Sequence, residues 1–269
     1  MVPQIQTGKE QLNISHTMRI NLTLYLTFFI FSFGYSQEKL KLLMIGNSFT
    51  FYYNLPMTIE QFSKYKGLNW EVHQSTAGGA SFKHHWNSEK GLNSVGKIKN
   101  NTYTHLIFQE YSNYPLVAID TTEKYLNLMH KIANNNSRKF LYATWSYPNI
   151  LKNNNLFTPS SKTIEDKLEK IKPSLDVDIL PVGRAFDLFQ LRYPNQTLFT
   201  SDNKHPNPVG CYLAACVIFS KISNQSSLGF PKRVFDKINN QKDIYYFIVE
   251  EEMAKKCQLI ADEIVFNSN

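Results

Sequence analysis

Cysteine is scarce in this sequence, with three residues among 269. A small, odd number excludes a disulfide framework. Cys211 and Cys216 fall within one predicted helix, at an offset of five positions that points their side chains to different faces. We therefore expect small core residues, and neither a disulfide bridge nor a metal site.

The signatures of several other function classes are also missing. No group of Cys and His has the spacing of a zinc site, and no glycine-rich phosphate-binding fingerprint follows a predicted strand. The formal net charge is +7, but the lysines are scattered and form no arginine-rich block. We therefore expect no metal, no organic cofactor and no nucleic-acid partner, and we interpret the basic balance as a solvated surface.

Long apolar runs are absent except near the amino terminus, where positions 22–33 carry no charge. Arg19 precedes this run, and the small residues Gly34 and Ser36 follow it. A cation, an apolar run too short to span a bilayer comfortably and small residues before a polar start are typical of a secretory signal peptide. An uncleaved membrane anchor is the alternative interpretation.

This pattern predicts a signal peptide over 1–36, with Met18 as the true start of the protein. The remaining 37–269 shows no internal repeat and no break in composition, and we expect one domain there. The expected location is secreted or periplasmic, with no stable membrane insertion after cleavage.

Beyond the signal, short apolar runs alternate with amphipathic helical patterns, which predicts an α/β domain with a parallel sheet. Ligands bind at the carboxyl ends of the strands in such sheets, so we expect the chemistry in the loops that follow them. The predicted strands are 40–45, 70–74, 105–108, 140–144 and 178–182, and the predicted helices are 56–65, 125–133, 164–171, 208–222 and 245–266. The loops of interest begin at Gly46, Ser75, Gln109, Trp145 and Gly183.

A serine lies in the loop after the first predicted strand, in Gly-Asn-Ser-Phe-Thr. Gly46 allows the backbone to turn sharply there, which places Ser48 at the edge of the sheet. A serine hydroxyl is a poor nucleophile at neutral pH unless a base takes its proton. The sequence must therefore supply a histidine that a carboxylate orients.

One of the seven histidines, His205, lies in a polar loop directly before a predicted helix. Asp202 precedes it by three positions, close enough for a carboxylate to accept from the ring's Nδ1–H and leave Nε2 facing a nucleophile. Taken alone, Asp-x-x-His-Pro is a weak signal, because such pairs also occur as caps and surface contacts.

The order of the blocks carries more information than any one of them. Gly-Asn-Ser-Phe-Thr follows the first strand, Gly-Gly the second and Gln-Glu the third, and Asp-x-x-His-Pro precedes a late helix. In these blocks, from about 41 to 222, the sequence resembles the SGNH/GDSL hydrolase superfamily, especially its bacterial branch with a Gly-Asn-Ser-Phe-Thr first block. The resemblance implies a flavodoxin-like, three-layer α/β/α sandwich with a mostly parallel five-stranded sheet. It also implies Ser48 as nucleophile, His205 as base and Asp202 as its orienting acid.

The resemblance further implies an oxyanion hole of three N–H donors. Ser48 supplies its backbone N–H, and Gly78 or Gly79 supplies the second, with Gly79 favoured. The third block departs from the family pattern, because no asparagine stands where one is expected. The Gln109 amide can replace it chemically, and Asn113 is the alternative donor. Gln109 can instead be a structural residue that bonds nearby loops.

Aromatic side chains crowd the expected rim, and their faces can stack on sugar rings. The predicted function is a secreted serine esterase that acts on small-molecule or glycan esters, with O-acetyl groups on carbohydrate as the favoured substrate. A non-catalytic carbohydrate-binding or surface protein and an acyltransferase with the same triad are the alternatives. Candidate substrate-binding residues are Asn47, Gly78, Glu110, Tyr111 and Trp145.

Overall fold

The computed structural model describes residues 39–151, 160–172, 175–238 and 242–267, together with Met1. Apart from Met1, the predicted signal segment at 1–36 lies outside the described residues, so cleavage and secretion stay predictions. Within the described part of the chain, every helix is too short or too polar to cross a membrane.

The centre of the fold is a five-stranded sheet in the order β2-β1-β3-β4-β5, and every neighbouring pair is parallel. Gly46 pairs with Thr76 and Ile45 pairs with Phe108, so the carboxyl ends of the first three strands meet at one edge. The strands are β1 (Leu40–Gly46), β2 (Trp70–Thr76), β3 (His105–Phe108), β4 (Arg138–Tyr142) and β5 (Asp178–Leu180).

Helices cover both faces of this sheet and complete a three-layer sandwich. The side chains of 42–45 in β1 are all 0% exposed. Successive strand side chains point to opposite faces, so this run can be buried only if both faces are covered. The helices are α1 (Ser48–Phe51), α2 (Leu55–Tyr65), α3 (Phe82–Trp86), α4 (Ser94–Asn100), α5 (Tyr114–Val117), α6 (Ile119–Ile132), α7 (Ser161–Ile171), α8 (Val182–Arg192), α9 (Pro208–Ser223) and α10 (Glu251–Phe266).

The α/β class and the parallel five-stranded sheet are confirmed, but the predicted closing helix at 245–266 is wrong in its first part. A hairpin precedes that helix, in which β6 (Arg233–Ile238) pairs antiparallel with β7 (Lys242–Ile248). The helix begins only at Glu251. A short apolar run is compatible with either a strand or a buried helical turn, so periodicity alone did not find this boundary.

Gly183 is another correction, because it lies inside α8 and not in a loop. A Cβ at Gly183 would lie 2.3 Å from the carbonyl oxygen of Thr144, so its role is to let the helix approach the chain after β4. Cys211 and Cys216 lie in the core, as expected, and Cys257 is buried as well.

Candidate active site

Ser48 lies in a sharp turn at the carboxyl end of β1. Asn47 caps the short helix α1, and its Oδ1 accepts from the Phe49 N–H at 3.1 Å. Gly46 is required on steric grounds, because a Cβ there would lie 2.3 Å from Thr50 Oγ1 and 2.6 Å from Gln109 Oε1. The close packing beneath the turn therefore holds Ser48 at the sheet edge.

His205 meets Ser48 although the two residues are 157 positions apart. His205 Nε2 lies 2.9 Å from Ser48 Oγ, and His205 Nδ1 lies 2.5 Å from Asp202 Oδ2. With the Nδ1–H donating to the carboxylate, Nε2 is free to accept the hydroxyl proton. The three residues that the sequence analysis paired lie in one hydrogen-bonded chain.

The loop that carries His205 is folded around the second oxygen of Asp202. Asp202 Oδ1 accepts from the Thr200 hydroxyl at 2.8 Å and from the N–H groups of Lys204 and His205, both at 2.9 Å. Desolvation alone would raise the pKa of Asp202. The bonds from the His205 ring, the two N–H groups and the Thr200 hydroxyl outweigh it and hold that pKa well below its ordinary value. Asp202 is therefore ionised at neutral pH.

Aromatic rings fix the plane of the His205 imidazole. The Tyr52 ring stacks on it with centroids 4.5 Å apart and an interplanar angle of 11°, and Phe49 meets it edge-on at 5.6 Å. The two residues after Tyr52, Tyr53 and Asn54, have left-handed backbone conformations, with φ values of 45° and 52°, just before α2 begins. The contact of Tyr52 with the base was not predicted from the sequence, which indicates only that aromatic side chains crowd the rim.

Gln109 lies beneath the turn and not at its opening, which corrects its predicted place in the oxyanion hole. Its side chain is 0% exposed. Oε1 accepts from the Asn47 N–H at 2.9 Å and the Thr50 hydroxyl at 3.0 Å, and Nε2 donates to the Glu110 carbonyl. The Asn47 N–H needs an acceptor, so the amide is oriented with its donor turned away from Ser48. The structural alternative for Gln109 matches this geometry.

His85 supports the same turn from another direction and was not singled out from the sequence. It is 0% exposed. Its Nε2 lies 3.1 Å from the Gly46 carbonyl oxygen and must donate to it, while Nδ1 accepts from the Ser94 hydroxyl at 2.6 Å. Burial lowers the pKa of His85 to about 4 despite the opposing bond to Gly46. The ring is therefore neutral at pH 7 and acts as a fixed donor to the backbone before Ser48.

Glu110 is a buried carboxyl group, 5% exposed, and is not at the surface where it was predicted to contact substrate. Its Oε1 accepts from the N–H groups of Phe82 at 2.9 Å and Tyr111 at 2.6 Å. Its Oε2 and the Thr122 hydroxyl are both buried, and neither has a hydrogen-bond partner within the described residues. Burial raises the pKa of Glu110 to about 7, although the two N–H groups and the nearby Thr122 act in the opposite direction.

Two backbone donors predicted for the oxyanion hole, the N–H groups of Ser48 and Gly79, have no acceptor among the residues that the structure describes. Ser48 is the first residue of α1, so its N–H has no partner inside the helix. Gly79 has φ +62° in the turn that the Ala80 N–H closes onto the Ala77 carbonyl, and no acceptor for the Gly79 N–H is found within the described residues. These free N–H groups can donate to a developing oxyanion.

The remaining predicted contact residues differ in exposure. Trp145 is 0% exposed in a stack between Phe49 and Phe186, so the predicted contact with substrate is wrong. Its Nε1 instead donates to the Lys204 carbonyl at 3.0 Å, which fixes the loop of His205. Among the other candidates, Asn47 is buried at 3% exposure, Gly78 is exposed and Tyr111 is half-buried. In the described part of the chain, His, Cys, Asp and Glu form no group of three or more that could hold a metal ion.

Comparison of the sequence with protein-family models and with curated proteins gives no match. Solved structures do match. A DUF4886 family protein from Bacteroides uniformis has a TM-score of 0.68 at 16% identity, over 86% of this chain and 97% of that chain. A protein from Slackia heliotrinireducens assigned to the SGNH hydrolases gives 0.53 at 19% identity, over 69% and 100%. An acetyl xylan esterase gives 0.54 at 15% identity, over 67% and 98%. This chain therefore has the fold of the SGNH/GDSL hydrolases, as the sequence blocks implied.

Replacing Gln109 by alanine tests its structural role. The substitution leaves the buried Asn47 N–H and Thr50 hydroxyl without an acceptor, and we expect the free energy of unfolding to fall by about 3 kcal/mol. The measurement is urea denaturation followed by circular dichroism. Asn113→Ala is the matched control, because no hydrogen bond within the described residues engages the Asn113 side chain. A Gln109→Ala protein of unchanged stability would contradict this role.

The raised pKa of Glu110 predicts a specific pH dependence of stability. Between pH 4.5 and about 7 the folded protein keeps a proton that the unfolded chain has lost, so this contribution to stability declines as the pH rises through that window. In Glu110→Gln, which stays neutral, the contribution does not decline. We expect the unfolding free energy of the variant, relative to that of wild type, to rise by about 3 kcal/mol between pH 4.5 and 8. A constant difference across this range would show that Glu110 titrates normally.

Proposed function

We propose that this chain is a serine esterase that hydrolyses carboxylic esters, with O-acetyl groups on carbohydrate as the substrate class. The observation that carries the proposal is the continuous bond chain from Ser48 Oγ through His205 to Asp202, with distances of 2.9 and 2.5 Å. Hydroxyl, imidazole and carboxylate in this order are the arrangement that activates a serine for acyl transfer. The free N–H groups of Ser48 and Gly79 supply the second requirement, donors for an oxyanion.

In the first half-reaction Ser48 Oγ attacks the ester carbonyl carbon while His205 Nε2 takes the hydroxyl proton. The carbonyl oxygen becomes an oxyanion, and the new imidazolium is paired with the Asp202 carboxylate. As the tetrahedral intermediate collapses, the bond to the alcohol oxygen breaks and His205 returns the proton to that oxygen. The products are the free alcohol and an acyl group on Ser48.

Water completes the cycle by the same route. His205 removes a proton from the attacking water molecule, the oxygen adds to the acyl carbon, and a second tetrahedral intermediate forms. Its collapse breaks the bond to Ser48 Oγ, which takes the proton back from His205. Every step uses one base that alternates between two protonation states, so the ring must keep a fixed position. Tyr52 and Phe49 support this requirement by packing on the ring.

Asn113 is the donor that we assign as third member of the oxyanion hole in place of Gln109. The Gln109 amide is occupied beneath the turn, whereas no described hydrogen bond engages the Asn113 side chain. Asn113 also lies five positions after the end of β3, the strand that Gln109 directly follows. One such donor contributes about 3–4 kcal/mol to transition-state stabilisation, so it affects the rate and not the type of reaction.

The rim and the comparisons support the substrate class. Tyr111 is half-buried beside Gly79, with one ring carbon 3.8 Å from the position of a Cβ there, so an aromatic face borders the proposed oxyanion hole. Such faces stack on sugar rings. Among proteins of the same fold, one is an acetyl xylan esterase and another a family 3 carbohydrate esterase. The proposal includes action outside the cytoplasm, on the basis of the predicted signal segment at 1–36.

Replacing Ser48 by alanine tests the proposal. We expect wild type to release p-nitrophenol from p-nitrophenyl acetate and acetate from acetylated xylan, and Ser48→Ala to lose about a thousandfold or more in kcat/KM. The loss follows from removing the nucleophile, and it leaves the buried bonds beneath the turn in place. Thermal unfolding of the variant, expected to match wild type, is the control for folding.

The same assay distinguishes the alternative functions. A folded wild-type protein that binds acetylated oligosaccharides and releases no acetate would be a carbohydrate-binding protein and would contradict the proposal. An acyltransferase would instead move the acyl group to an added sugar alcohol in preference to water, so the new ester would accumulate in place of free acetate.

A further inference from the structure

A lysine side chain lies against the rim of the site, next to the histidine. Lys204 Nζ is 5.1 Å from the ring centroid of Tyr147 and 5.9 Å from that of Tyr111. Both distances are within the range of a cation–π contact. Tyr147 is 9% exposed and the other two residues are half-buried, so the ammonium is held over aromatic faces at the edge of the site.

No acidic side chain neutralises this ammonium in the described part of the chain. Lys204 is in none of the ion pairs found there. The nearest carboxylate along the chain is Asp202, and its two oxygens are occupied by the His205 ring and by the groups that fold the loop. The rim therefore carries a positive charge that a ligand can pair with.

The position of this charge is fixed relative to the reacting groups. Tyr111 lies between Lys204 and Gly79, since its ring contacts both the ammonium and the space beside the glycine. Tyr147 packs edge-on against Phe49 at 6.1 Å, and Phe49 in turn packs against His205. One side chain, Tyr111, therefore separates the ammonium from Gly79. Two side chains, Tyr147 and Phe49, separate it from the His205 ring.

Hydrogen bonds hold the parts of this surface in place. The Tyr147 hydroxyl bonds to the Ser112 hydroxyl at 2.8 Å, and Trp145 Nε1 donates to the Lys204 carbonyl at 3.0 Å. A subsite made of side chains already in position binds with a smaller loss of conformational entropy. An ammonium beside two aromatic faces can recognise a ring that also carries a negative charge.

We propose that Lys204, Tyr111 and Tyr147 form a subsite for an acidic sugar, so that the ester substrate is an O-acetylated glycan containing uronic acid. This inference rests on the proposed esterase function and names its substrate. A uronic acid offers a ring face for the tyrosines and a carboxylate for the Lys204 ammonium. The net positive charge, +7 for the full sequence and +6 without the predicted signal segment at 1–36, adds a long-range attraction for such a polyanion.

A purely structural role for Lys204 makes a different prediction. Lysine stems often cover apolar or aromatic surface while the ammonium stays in water, and in that role the charge itself is dispensable. Lys204→Gln removes the charge and keeps a long polar side chain, whereas Lys204→Arg keeps the charge. Lys99→Gln is the matched control, because Lys99 is exposed and lies far from the site. It is near the end of α4, which leads to the start of β3, and the site lies where β3 ends.

The experiment compares two acetylated sugars that differ only at C6, methyl glucuronide with its carboxylate and methyl glucoside with a neutral hydroxymethyl group, acetylated at the same hydroxyl. We expect wild type to favour the glucuronide in kcat/KM by about tenfold at low ionic strength, and added salt to reduce the preference. Lys204→Gln should abolish the preference, and Lys204→Arg and Lys99→Gln should retain it. A preference that survives in Lys204→Gln overturns the subsite, as does a wild type that hydrolyses both sugars equally.

A binding measurement separates failure of the subsite from failure of the proposed function. Calorimetry on Ser48→Ala with unacetylated oligogalacturonate and with xylo-oligosaccharide requires no turnover. Tighter binding of the oligogalacturonate, lost on adding Lys204→Gln, supports the subsite even if wild type shows no esterase activity. Equal binding of the two oligosaccharides contradicts it, as does tighter binding of a sulfated xylo-oligosaccharide than of the oligogalacturonate.

Discussion

The hydrogen bond from the Asn47 N–H to Gln109 Oε1 holds the turn on which the site depends. The turn leaves the sheet at a buried position, where each backbone donor and acceptor needs a partner. Gln109 satisfies the donor after Gly46, and His85 satisfies the carbonyl of Gly46 itself. Because both partners are buried and neutral, the backbone before Ser48 is held from beneath, and the serine side chain remains free for chemistry.

The second half of the site follows the same principle in a polar loop. One oxygen of Asp202 folds the loop through three bonds, and the other oxygen orients His205. Trp145 connects this loop to the core through the Lys204 carbonyl, and Tyr52 covers the imidazole face. Two segments far apart in sequence can therefore hold a 2.9 Å contact between a hydroxyl and an imidazole.

The sequence predicted the parallel sheet and the loops that hold Ser48 and His205, but not the hairpin before α10 or which polar side chains are buried. Strand periodicity places Ser48 in the loop after β1, and the resemblance carried by the order of the blocks pairs it with His205. Whether Gln109 points into the site or beneath it depends on the Asn47 N–H, a contact across 62 positions that no local pattern encodes. The same limit applies to Trp145 in the loop after β4, whose burial depends on Phe186 from α8.

Labelling with a fluorophosphonate reports the reactivity of the Ser48 hydroxyl itself and needs no knowledge of the substrate. Ser48 Oγ should displace fluoride and form a bond to phosphorus while His205 takes the proton. We expect one label, located on Ser48 by peptide mass spectrometry, and labelling slower by about a thousandfold in His205→Gln. An unlabelled wild-type protein, or equal labelling of wild type and Ser48→Ala, would contradict this expectation.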